Sequence, residues 1–100
     1  MALAIVWKPR AVNQAAEAQR WWRENRPMAP LLLRQEIARA TALIADMPAS
    51  GVQVRGRDAR HVPLEDTGYI LFHRVRPRAL RIEISRSSTV GETHRFQGGP

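Results

Sequence analysis

The spacing of apolar and polar positions changes along this chain, and the change marks out its elements. Residues 3–7 (Leu-Ala-Ile-Val-Trp) form a short, partly β-branched apolar run that stops at Lys8-Pro9, which predicts a first strand. Pro9 suits the first turn of a helix, where a missing N–H costs nothing. From there to Asn25 no glycine or proline intervenes, and Ala11, Ala15, Ala18 and Trp22 recur at helical spacing. Asn25-Arg26-Pro27 predicts a stop and reversal. A second helix starts between residues 27 and 31 and carries the stripe Leu33, Ile37, Ala40, Ile44 and Met47. Met47-Pro48 closes it, because a residue before proline is pushed out of the helical region. Two such helices joined by a few residues make an antiparallel αα-hairpin.

Beyond Ser50 the period becomes two. Val52 and Val54 alternate with Gln53 and Arg55, and Gly56-Arg57-Asp58 reads as a turn. Residues 60–64 form a short strand in which Pro63 favours an edge or a bulge. Glu65-Asp66-Thr67-Gly68 is again a turn by composition. Residues 69–76 form the next strand, and Arg76-Pro77-Arg78 turns into a last one over residues 80–85. In that strand Leu80, Ile82 and Ile84 point one way and Arg81, Glu83 and Ser85 the other. The fold class is therefore α+β: an N-terminal strand, the αα-hairpin, then three to four antiparallel strands in one sheet packed on the hairpin. Residues 1–86 make one domain, and the polar, glycine-containing segment 87–100 reads as a flexible tail.

The strand at 69–76 differs from its neighbours. Tyr69, Leu71, His73 and Val75 line one face, while Ile70 and Phe72 precede Arg74 and Arg76 on the other. A strand apolar on both faces is central and covered twice. The hairpin covers one face, which leaves the other for the tail, a bent part of the sheet or another protein.

Charge sharpens this picture. The 100 residues carry 16 basic and 9 acidic side chains, a net charge of +7, and every basic residue except Lys8 is arginine. Such a surface attracts polyanions and acidic proteins, and the planar guanidinium suits carboxylates and phosphates alike. The arginine excess over lysine is equally the mark of a GC-rich genome. With no cysteine there is no disulfide or thiolate metal site. No run approaches the roughly 20 apolar residues of a membrane span, and the expected location is the cytoplasm. The three histidines lack metal-ligand spacing, so no metal or cofactor is expected.

The ordered pieces resemble the RelE/ParE superfamily, the toxins of bacterial toxin–antitoxin pairs. They are residues 5–11 (Ile-Val-Trp-Lys-Pro-Arg-Ala), Asn25-Arg26-Pro27, Met47-Pro48 with Gly51, Arg60, residues 67–75 (Thr-Gly-Tyr-Ile-Leu-Phe-His-Arg-Val) and residues 80–84 (Leu-Arg-Ile-Glu-Ile). The long hairpin places the chain closer to the ParE side. That resemblance implies a tightly bound acidic antitoxin, forming a hetero-oligomer with the toxin, and inhibition of DNA gyrase by binding, with no catalytic residues. Lys8 stands where such toxins often carry a capping threonine.

Candidate residues follow. Arg74, Arg76, Arg78, Arg81 and Arg86 would meet the target, and Trp21, Arg57, Arg60, Ile70 and Phe72 the antitoxin. Trp21 reads equally as the edge cover of the hairpin, and the arginines as a solvated face. The alternative is an enzyme, a ribosome-dependent messenger-RNA endoribonuclease. There Arg60, Arg74 and Arg81 would stabilise phosphate charge, and His73 or Tyr69 would handle the 2′-hydroxyl proton. His73 reads equally as a hydrogen-bonded packing residue, His61 as a surface residue, and His94 falls in the tail. A plain nucleic-acid-binding module would explain the charge but not the hairpin.

Overall fold

The structure is a computed structural model that describes residues 3–89. Strand β1 (Ala4–Trp7) leads through Lys8 into helix α1 (Pro9–Asn25), with proline in the first turn. No side chain caps this helix, and the cap foregone is worth about 1 kcal/mol. Its end is fastened instead by tryptophan: the Trp22 indole N–H donates to the Ala29 carbonyl at 2.7 Å. Residues 26–31 spend themselves on turns, with Ala29 N–H donating to Arg26 O and Leu32 N–H to Ala29 O. Helix α2 therefore begins at Leu32 and runs to Asp46. Met47 leaves the helical conformation, so the predicted stripe ends at Ile44 and Met47 is 59% exposed.

The remaining elements are β2 (Val52–Gln53), β3 (Arg60–Leu64), β4 (Tyr69–Arg76), a 3₁₀ turn over Pro77–Ala79, and β5 (Arg81–Thr89). One five-stranded sheet forms in the order β1-β5-β4-β3-β2. The expected antiparallel pairing holds from β2 to β5. β1 differs, lying parallel to β5 with Ile5 opposite Ile82 and Trp7 opposite Ile84. The long crossover through both helices permits that pairing, which a short hairpin cannot. β2 covers β3 only at Arg60 and His61, so Pro63 sits where β3 is an open edge. β5 continues past the predicted end at residue 85, and residues 90–100, His94 among them, lie outside the described part.

The core lies between hairpin and sheet. Ala11 of α1 and Leu33, Ile37, Ala40 and Ile44 of α2 pack on Val62, Leu64, Tyr69, Leu71, Ile82 and Ile84. Each large side chain so buried contributes about 1.5–3 kcal/mol. Glu36 also turns inward, off the apolar stripe, and is buried. Its carboxylate accepts the Asp66 N–H at 3.0 Å, the Thr67 N–H at 3.1 Å and the Thr67 hydroxyl at 2.6 Å. One helix residue thus clamps the β3–β4 turn.

Two local irregularities set the outward surface. The β4–β5 register shifts between Phe72 and His73, with His73 opposite Ile84 but Phe72 opposite Arg86. Ser85 is the extra residue of this bulge, and its hydroxyl donates to the Phe72 carbonyl at 3.2 Å. Strict alternation from Ile84 would send Arg86 toward the hairpin; the bulge turns it outward. The second irregularity is Leu80, which caps the 3₁₀ turn in the left-handed region at φ 55°, ψ 42°. It does not join Ile82 and Ile84 as predicted, and stands 60% exposed.

Candidate functional site

β4 is the middle strand and distributes the candidate residues between its two faces. On the hairpin side, Tyr69 and His73 are buried. The His73 Nε2–H donates to the Pro48 carbonyl at 3.0 Å, since a carbonyl can only accept, and Nδ1 is buried with no hydrogen-bond partner among the described residues. Burial lowers the pKa of this ring, the Pro48 bond raises it, and the nearby Arg60 charge lowers it further. Arg60 lies on this same side, opposite His73 in register, and donates through Nη1 to the Gly51 carbonyl at 3.2 Å. The β3 and β4 side chains are thereby tied to the loop that follows α2.

The outer face holds a different set. Arg81 donates to Glu83 Oε2 through Nε (3.0 Å) and Nη2 (2.8 Å). Arg76 approaches Oε1 of the same carboxylate at 3.5 Å and Asp58 at 3.7 Å. The Arg81 hydrogen bonds, first of all, hold the Glu83 carboxyl below its ordinary range; burial opposes them, and the charge of Lys8 assists. Arg74 stands directly opposite Glu83 in register, yet that carboxylate is occupied by the other two arginines. The Arg74 Nε is consequently buried with no hydrogen-bond partner among the described residues. A buried donor left unpaired costs about 1–3 kcal/mol.

Beside these cations lies an aromatic step. The Arg86 guanidinium sits 4.3 Å over the Phe72 ring, and His61 from β3 stacks on Phe72 at 5.9 Å. Ile70, one pleat further along β4, is half-buried on the same face. The outer face therefore grades from arginine through aromatic to aliphatic within one strand. Where β4 turns into β5, Arg76, Arg78 and Arg81 line an open cavity of about 360 Å³ together with Asp58.

The sheet brings Arg74, Arg76, Arg81 and Arg86 together with Ile70 and Phe72 on one face, and puts Arg78 at its end. It does not bring Arg60, His73 or Tyr69 there. Arg57 is exposed in the β2–β3 turn. Trp21 is half-exposed at the far end of α1, where Arg26 lies 5.5 Å over its ring and 5.8 Å over that of Trp22. Glu83, which organises the arginines, was not among the candidates. Its outward position was legible from alternation, but its pairing with Arg76 across the strands depends on register. Among the described residues no group of three acidic or histidine side chains is placed to hold a metal, and no helix is long and apolar enough to cross a membrane.

Fold and site together define a small α+β domain with an arginine-rich outer sheet face. Over residues 5–86 the chain matches the family described as "ParE toxin of type II toxin-antitoxin system, parDE". The chain belongs to the ParE toxin family. Among the solved structures that resemble it is one titled "Chromosomal ParDE TA system from P. aeruginosa". It superposes with a TM-score of 0.75 at 18% identity, over 88% of this chain and 96% of that one, a likeness of fold. No curated protein matches the chain.

Proposed function

We propose that this toxin arrests growth by binding DNA gyrase rather than by catalysis, and that a cognate acidic antitoxin silences it by covering the outer face of the sheet. The observation that carries this reading is the shared face. Ile70 and Phe72, the apolar pair suited to an antitoxin, stand in line with Arg74, Arg76, Arg81 and Arg86, the cations suited to a target. An antitoxin segment with an acidic side chain over Arg74 and apolar ones over Phe72 and Ile70 would mask those arginines at the same stroke. Trp21, Arg57 and Arg60 lie away from this face and would add to antitoxin binding only if the segment wraps further.

A binding mode is supported by where the acid–base candidates lie. Tyr69 and His73 are buried behind the sheet, so a phosphodiester on the arginines would meet neither. Inhibition needs no proton transfer, only a complementary surface.

The test follows DNA and protein synthesis in cells in the first minutes after induction, together with supercoiling by purified gyrase. Thymidine incorporation should fall before methionine incorporation, supercoiling should be inhibited, and added antitoxin should restore it. Arg74→Gln, on the sheet surface, should weaken both inhibition and antitoxin binding. If methionine incorporation falls first and supercoiling is untouched, the ribosome-dependent endoribonuclease takes its place.

A further inference from the structure

Three features that need not coincide meet at the β4–β5 corner. Leu80 is the one non-glycine residue with positive φ among the described residues. Glycine and asparagine hold such a cap without the clash that a branched side chain brings. The leucine gains nothing from burial in exchange, being 60% exposed. Its backbone is nevertheless pinned, because its N–H donates to the Pro77 carbonyl at 3.1 Å and its carbonyl accepts the Ala4 N–H at 3.2 Å. The side chain is therefore a fixed apolar knob. Backbone strain of this kind, kept where packing does not reward it, points to a function.

Next to the knob, between Ala79 and Arg81 in sequence, opens the cavity of about 360 Å³. Of its three arginines, Arg81 is engaged by Glu83, and Arg76 is divided between Glu83 and Asp58. Arg78 is exposed and has no ion pair among the described residues.

We propose that this corner is a protein-docking site in which Leu80 enters an apolar pocket of the partner while Arg78 pairs with a carboxylate beside that pocket. The occupant is an acidic protein surface. Charge complementarity selects it: a polyanion backbone needs a row of free cations, whereas the corner offers one uncommitted guanidinium beside one leucine. The proposal deepens the reading of the chain as an inhibitor by binding, and assigns this corner to the toxin's target. It lies apart from Ile70 and Phe72, so it serves the target without serving the antitoxin.

Leu80→Gly and Arg78→Glu test it. Glycine removes the knob and relieves the backbone, so this variant should melt no lower than the wild type, and a binding defect is then not a folding defect. Each variant should need about tenfold more protein for the same growth arrest, with antitoxin affinity within about twofold of wild type. Supercoiling by gyrase is measured alongside. If wild type leaves supercoiling untouched while Leu80→Gly still abolishes arrest, the gyrase reading fails and the corner stands. If both variants arrest growth like wild type, or if folded wild type does not arrest growth, the corner assignment is overturned. A loss of antitoxin affinity equal to the loss of toxicity overturns it too, as does binding to random-sequence duplex DNA that Arg78→Glu weakens.

Discussion

Acid should weaken this fold through His73. The imidazole is fully buried on the hairpin side of β4, with Nε2–H on the Pro48 carbonyl and Nδ1 facing no donor among the described residues. Burial and the Arg60 charge disfavour its protonated form, so its pKa falls below the ordinary 6.5 despite the Pro48 bond. As pH drops through 6.5 the unfolded chain takes up a proton that the folded chain still refuses. The unfolded state then binds more protons, and stability declines with falling pH. The contribution is complete above the unfolded value and is lost below it. From about pH 7.5 to about pH 5.5 the loss can reach at most about 1.4 kcal/mol, the limit in which the folded ring stays neutral throughout.

The assay is urea denaturation of wild type and His73→Gln across this range. Glutamine does not titrate and keeps an amide N–H for Pro48. The substitution should cost about 1–2 kcal/mol above pH 7 through imperfect replacement of the buried ring. Carboxylates remain in both chains and cancel, so the difference between the two proteins should shrink as pH falls below 6.5. A difference that stays constant down to about pH 5.5, or grows, would refute the buried neutral imidazole. Growth arrest supplies a second reading: folded His73→Gln should remain toxic, because the ring touches no surface.

Two further perturbations test the supports of the site. Glu36→Ala removes three hydrogen bonds from the β3–β4 turn, at a cost of about 2–3 kcal/mol. The urea midpoint should drop with unchanged m, and Thr67→Val should cost less in that background than alone. Gly51→Ala combines a residue at φ 88° with a Cβ that would meet the His61 carbonyl oxygen and, at 2.9 Å, Val62 Cγ2. It should cost about 2 kcal/mol or more in the same denaturation assay.

Elements were legible in this sequence where their signals are local. Pro9, Asn25 and Met47-Pro48 mark helix boundaries within a residue or two, and the two-faced pattern of residues 69–76 identified the central strand. What alternation cannot supply is the neighbour. It assigns Glu83 a face but not its pairing with Arg76, because that needs the β4–β5 register. Ser85 shows the limit within one strand: a single extra residue turns Arg86 to the other face, and serine carries no mark of a bulge. Leu80 was misplaced for the same reason, since a leucine in the left-handed region leaves no compositional trace. Glu36 lies off the centre of the apolar stripe of its helix, and its partners at Asp66 and Thr67 come from a distant turn.

The division of β4 into two faces has a consequence for how partners act on this protein. Stability comes from the inner side, through Tyr69, Leu71 and His73, while the outer side sets Arg76 and Arg81 on the carboxylate of Glu83, with Arg74 opposite it in register. Like charges gathered there repel one another and oppose folding, so the arginine face is held at the expense of the core. A partner that brings a carboxylate to Arg74 relieves that repulsion. It therefore binds the folded chain and not the unfolded one, and must raise its stability by mass action. Salt would lift part of the same strain without any partner, by screening. Arg74→Gln should then blunt both effects, which ties the free toxin's salt response to the residue proposed to seat its partner.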